Sequence, residues 1–286
     1  MDAFNRLVTR VFDVLLTPLE WVGPEFSLLV VSGVFGVLAL WLFKHISRQK
    51  GIKAAKDRIK GHLIEIRIYQ DDLGVVSKAI GKVLLRNLQY LGLNFAPFVP
   101  LAIPFTFVIA QLVVRYAFDP VPVQQRHALA AEGPRIAGEG VNLWIEGDAA
   151  AIASLEVTLP EGLVAREVLA KVPASGCALM ELAAERPGAY DITLRTSAGE
   201  TTKRLVAGRD ARERVMQPER VTGLATLLWP AEDSLAGTGL TQVTFRYPES
   251  DLGWLPGSGL VGVLLVFLVA SMAVGLLALK PLGVQI

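Results

Sequence analysis

The sequence predicts an integral membrane α-helical protein, with three transmembrane helices and a cytoplasmic helical hairpin, plus an extracytoplasmic immunoglobulin-like β-sandwich. Three observations carry this. Hydrophobic residues make up 52% of the 286 residues and charged ones only 19%, where an average soluble domain has about 25% charged. Residues 26–43, 87–114 and 252–279 carry no charge, and about 20 apolar residues suffice to cross a bilayer as a helix. Residues 119–251 instead show short alternating apolar runs split by turn signals, the pattern of half-buried strands.

Each element follows in chain order. Phe4, Leu7, Val8, Val11, Phe12, Leu15 and Leu16 recur at helical spacing, so residues 3–16 read as an amphipathic helix in the outer membrane interface. Thr17-Pro18 and Gly23-Pro24 are expected to break it. The first crossing, 26–43, is bracketed by Trp21 and Trp41, and Lys44, Arg48, Lys50 and Lys53 follow it. A cleaved signal peptide puts its positive charge before the apolar core, so this segment reads as a retained anchor.

Residues 44–86 hold eleven basic residues and four acids, which assigns them to the cytoplasm. Residues 119–251, with 13 basic and 19 acidic residues, then lie outside, and the tail after the third crossing lies inside. Within 44–90, Ile52, Ile59, Ile66 and Leu73 repeat every seven residues. Val76, Ile80, Val83, Leu84, Leu88 and Leu91 form a second stripe. The two stripes predict a short antiparallel coiled coil, with an acid of Asp71-Asp72 capping its second helix. Its basic side, with Lys50, Lys53, Lys56, Arg58, Lys60 and Arg67, suits either plain solvent exposure or contact with anionic headgroups.

The second crossing, 94–116, opens on Asn94, Pro97, Pro100 and Pro104. Each proline removes a helical hydrogen bond, and in lipid the freed carbonyls need other partners. Ser32, Asn94, Thr106 and Gln111 are polar groups at membrane depth. They serve either as interhelical hydrogen-bonding groups or as the lining of a substrate groove. Residues 252–286 form the third crossing and a short tail, with Gly259, Gly262, Ser271 and Gly275 suited to close helix packing.

In 119–251 the runs Leu155-Val157-Leu159, Tyr190-Ile192-Leu194 and Val243-Phe245-Tyr247 predict strands, with 119–135 and 208–221 as loops. The stretch 186–194 resembles a hairpin of immunoglobulin-like bacterial domains in which a tyrosine, here Tyr190, caps a corner.

Several function classes are excluded. A net charge of +1 does not suit a general DNA binder. Cys177 is the only cysteine, so neither an intrachain disulfide nor a cysteine zinc site is available. No phosphate-binding loop, H-E-x-x-H or G-x-S-x-G occurs, and His45, His62 and His127 are scattered over both sides of the membrane. Neither catalytic residues, a metal nor a cofactor is expected. No ionisable residue is expected inside a crossing, which argues against a pump or an ion-coupled transporter.

The order of interfacial helix, crossing, basic hairpin and proline-punctuated crossing resembles the YidC-type membrane insertase superfamily over residues 1–118. It is carried by Phe26-Ser27, the hairpin from Lys44 to Arg86, and Asn94…Pro97…Pro100…Pro104. The resemblance implies a groove open to cytoplasm and lipid that accepts hydrophobic client segments, with the hairpin receiving them from the ribosome side. A wet groove lowers a penalty of about 2.5–3.5 kcal/mol per inserted charge. The groove candidates are Ser32, Gly36, Asn94, Thr106 and Gln111. Gly36 stands where bacterial insertases usually carry an arginine, and in YidC itself the extra β-domain precedes this core. The expected function is a YidC-like insertase or chaperone for client membrane proteins in the bacterial inner membrane. The alternatives are a scaffold subunit that docks a partner through the β-domain, and a receptor whose β-domain binds a ligand.

Overall fold

The computed structural model describes residues 2–47, 49–123, 140–208 and 215–284. His127 and Arg48 fall outside the described residues, as do most of the expected loop 119–135 and part of 208–221. Three helical stretches, Pro24–Ile46, Leu73–Tyr116 and Gly259–Leu282, are long and apolar enough to cross a membrane, which marks the chain as a membrane protein. The chain divides into two compact units, one of residues 1–30 and 106–267, the other of 31–105 and 268–286.

The first unit contains α1 (Asp2–Glu20), the start of α2 (Pro24–Ile46) and the end of α5 (Phe98–Tyr116). Helix α1 does not stop at Thr17-Pro18 as expected; it runs through Pro18 to Glu20. A proline this near the C-terminus loses one hydrogen bond and has little helix left to distort. The Thr17 hydroxyl donates to the Asp13 carbonyl at 2.6 Å, within the same turn.

The same unit holds an antiparallel β-domain. Its larger sheet joins β1 (Val141–Gly147), β3 (Leu163–Ala165), β4 (Ala170–Val172), β5 (Cys177–Ala184), β8 (Glu219–Val221) and β9 (Leu240–Phe245). The smaller sheet has the order β2 (Glu156–Thr158), β6 (Gly188–Arg195), β7 (Glu200–Ala207). A short helix, α6 (Ala149–Ser154), follows β1. Leu143, Ile145, Leu182, Val243 and Phe245 from one sheet and Ile192, Leu194 and Leu205 from the other share one core. Alternation of period two therefore points the apolar residues of both sheets inward, as in a sandwich. The predicted strand runs lie in β2, β6 and β9. Strand β9, however, ends at Phe245, before Tyr247, because Pro248 three residues on cannot continue a ladder. The Tyr190 hydroxyl donates to the Arg186 carbonyl at 2.6 Å, the corner contact that the resemblance of 186–194 implies.

The second unit holds the rest of α2 and α5, the hairpin α3 (Gln49–Ile68) and α4 (Leu73–Phe95), and most of α7 (Gly259–Leu282). Asp72 caps α4, accepting from the Gly74 and Val75 amides at 2.9 and 3.1 Å. Three prolines act differently in the second crossing. Pro97 lies in the break between α4 and α5, Pro100 falls in the first turn where no donor is needed, and Pro104 alone sits in the helix interior. The third crossing begins at Gly259, later than the apolar run, because residues 252–258 form turns.

Candidate functional site

Helix α1 is amphipathic, and its polar side faces the protein. Asn5 is buried and donates to the Thr226 carbonyl at 2.9 Å, Thr9 donates to the Pro230 carbonyl at 3.3 Å, and Arg6 pairs with Asp233 at 3.4 Å. On the α5 side, Gln111 donates to the Thr9 hydroxyl at 2.9 Å. Arg115 hydrogen-bonds the Gln111 side chain and forms an ion pair with Asp13. Phe4, Leu7, Val11, Val14 and Leu15 remain exposed on the opposite side. The polar face of the helix is thus bound by protein and its apolar face is left open.

Between α1 and the β7 side of the sandwich lies an open cleft of about 840 Å³. Its walls carry Arg6, Arg204 and Arg220 opposite Asp13, Glu232 and Asp233. Beneath it, Lys203 is completely buried and donates to Glu232 at 2.8 Å and to the Gln217 carbonyl at 2.6 Å, its ammonium 5.7 Å from the Phe245 ring. Burial lowers the pKa of Lys203, and the Glu232 carboxylate opposes the shift. Arg220 donates to the carbonyls of Thr202 and Asp233, and Tyr247 donates to that of Arg204. Side chains thus occupy carbonyls along the outer edge of β7, which protects an edge strand from pairing with another chain. Burial pushes the Tyr247 hydroxyl above its usual range, which keeps it a donor. The Arg204 guanidinium, at 2.8 and 3.1 Å, holds the Asp191 carboxyl below the usual carboxylate range. In chemical terms the cleft is a set of paired charges that fixes α1 to the β-domain.

The groove candidates divide between the units. Gln111 is fully buried in the network just described, and Thr106 is half-buried one helical turn and more before it. In the second unit Ser32 is fully buried in α2, and Asn94 donates to the Tyr90 carbonyl at 2.8 Å, one turn back on α4. Gly36 lies against the main chain of Ser271 in α7, so closely that a Cβ there would fall 2.1 Å from the Ser271 carbonyl oxygen. The six basic hairpin residues, Lys50, Lys53, Lys56, Arg58, Lys60 and Arg67, are all exposed on α3.

The coiled-coil prediction needs correction in its breadth. Ile52, Ala55 and Ala79 form the buried seam, but Leu73, Ile80, Leu84, Leu88 and Leu91 stand exposed. The stripe of α4 is wider than one partner helix can cover. Glu65 of α3 meets His62 at 2.9 Å and Lys82 of α4 at 3.6 Å. The hydrogen bond from His62 lowers the Glu65 pKa below the ordinary carboxylate range.

Sequence reasoning missed Arg115. It lies inside the second crossing as drawn, at 94–116, which corrects the expectation of crossings without ionisable groups. The signal was present: an arginine one turn after Gln111, with an acid in the preceding amphipathic helix. Lys203, in phase with the buried Thr201 and Leu205 of β7, was not singled out either. Among the described residues no group of three or more histidine, cysteine, aspartate or glutamate side chains stands where it could hold a metal ion. The chain matches no family model, and no curated protein matches it.

Proposed function

We propose that this chain is a YidC-like insertase or chaperone that assists insertion of client transmembrane segments. In this reading it sits in the bacterial inner membrane, with its N-terminus and an immunoglobulin-like β-sandwich outside. Residues 44–90 and the C-terminus face the cytoplasm. The observation that carries the reading is the apolar stripe Ile80-Leu84-Leu88-Leu91-Phe95, left uncovered by α3 and running to within three residues of α5. Beside it lie exposed cations of both hairpin helices, Lys78 and Lys82 among them. A hydrophobic client segment with basic or headgroup-facing flanks meets first an apolar strip and then the membrane. Val99 and Ile103 extend the exposed apolar surface into the crossing.

The test is photocrosslinking in cells from Leu88, Phe95 and Ile103, with mass spectrometry of the adducts. The expected result is a spread of short-lived adducts to newly made membrane proteins. One or two stoichiometric, long-lived partners would overturn it and leave the second reading, a structural subunit of a fixed complex. That reading is favoured by Gly36, where the position occupied by arginine in bacterial insertases is filled by the α7 backbone.

A further inference from the structure

A second cleft, of about 460 Å³, opens on the outer face of the larger sheet. Its floor is backbone. Gly147 donates to the Gly176 carbonyl at 2.9 Å. A Cβ on Gly147 would fall 2.7 Å from the Gly239 oxygen, and one on Gly176 2.7 Å from the Gly147 oxygen. One wall is the indole of Trp144, 41% exposed although it projects from the central strand β1. The indole N–H donates to Glu146 at 2.8 Å, which fixes ring and carboxylate side by side. The β1–β9 register shifts between Glu146 and Gly147, and such bulges re-aim side chains next to functional sites.

We propose that this cleft binds a lysine or arginine side chain of a partner protein, and that the outer sheet face is the docking surface for that protein. The charge of the cleft selects the ligand. Among the described residues, Glu146 is the only charged one lining it, and no lysine, arginine or histidine does. An anion would face the Glu146 carboxylate with no cation to offset it, while an organic cation meets a carboxylate and an aromatic side chain together. A bare metal ion would want several more oxygen ligands. The cleft is also open, where pockets for free small molecules enclose most of their ligand. Leu179 lies directly opposite Trp144, and Val172 opposite Cys177 in the next row. Both are exposed, 38% and 47%, and offer the apolar contacts that a protein surface around the cationic side chain would cover.

The experiment uses the full chain in lipid nanodiscs with ¹⁵N-labelled tryptophan. The chain has five tryptophans, so the Trp144 indole signal is assigned with Trp144→Phe, and the other four report that the fold is intact. Nα-acetyl-lysine methylamide should shift the Trp144 signal saturably. Its norleucine analogue, with the same chain and no charge, should not. Glu146→Gln should weaken lysine binding about threefold, the scale of one exposed charge pair, with the Trp144 contact left in place. An equal response to the norleucine analogue, unchanged affinity in Glu146→Gln, or no saturable shift would each overturn the proposal. A response to methyl glucoside without one to lysine would overturn it too, and would make the cleft a carbohydrate site. None of these readouts depends on what the membrane helices do.

Discussion

Leu143, Ile145, Ile192 and Leu194 of the β-domain are fully buried, whereas Leu84, Leu88 and Leu91 of the α3–α4 hairpin stand exposed. Both regions were recognised from the same kind of signal, apolar residues at a regular period. In the sandwich each apolar face has another apolar face to meet, so period two translates directly into a core. In the hairpin two helices face each other across a narrow seam of Ile52, Ala55 and Ala79, and Leu84, Leu88 and Leu91 are left exposed. Periodicity reports which side of an element is apolar. What covers that side depends on how many elements surround it.

The two regions also differ in how they hold polar groups, and this gives the sharpest tests. The largest effect is expected at Lys203, completely buried against Glu232, whose second oxygen has no hydrogen-bond partner. Removing one member of a buried pair leaves the other charge uncompensated and costs about 3–5 kcal/mol. Lys203→Met should therefore lower the unfolding midpoint of the β-domain steeply in denaturant melts of the full chain. Replacing both with apolar residues, Lys203→Met with Glu232→Leu, should recover most of that loss. If the single and double variants melt alike, the pair is not an energetic unit.

A smaller effect belongs to the helical unit. Gly36→Leu places a side chain where the Ser271 backbone already stands, and overpacking of this kind costs about 1–3 kcal/mol. The variant should lose thermal stability in detergent while a β-domain probe such as the Tyr190 corner melts as before. Unchanged helical stability would mean that α2 and α7 separate freely in the membrane, and would reopen Gly36 as a groove residue.

The smallest effect is at the surface of the sandwich. Arg204 holds Asp191 below the ordinary carboxylate pKa, about 3.9. A depressed carboxylate stabilises the fold above its unfolded pKa, and the contribution is lost as pH falls through the folded one. Asp191→Asn should therefore flatten the acid limb of the stability curve, with an effect at neutral pH under about 1 kcal/mol because the pair is half-exposed. A neutral-pH loss several times larger would show that the pair also supports the cleft wall.

Much was legible from residues alone. The uncharged runs required crossing helices because a free backbone cannot be solvated in lipid. The alternation in 155–159, 190–194 and 243–247 located strands β2, β6 and β9, the last stopping short of Tyr247; Asp72 took the capping role its position assigned, and Tyr190 the corner role that the resemblance implied. These outcomes rest on interactions within a few residues, or on the solvent itself. The partners of Arg115, Lys203 and Gly36 were not legible, because each is decided by a residue far along the chain: Asp13, Glu232 and Ser271. A strand lysine and an exposed lysine read the same, and a helix glycine does not say which backbone it admits. Sequence by itself set which elements form and which of their faces are apolar, since propensity, charge and hydrogen-bond accounting act locally. Tertiary structure alone decided which charges are paired and buried, which apolar stripe stays open, and where Trp144 and Glu146 make a cleft, because those depend on what packing brings within a few ångströms.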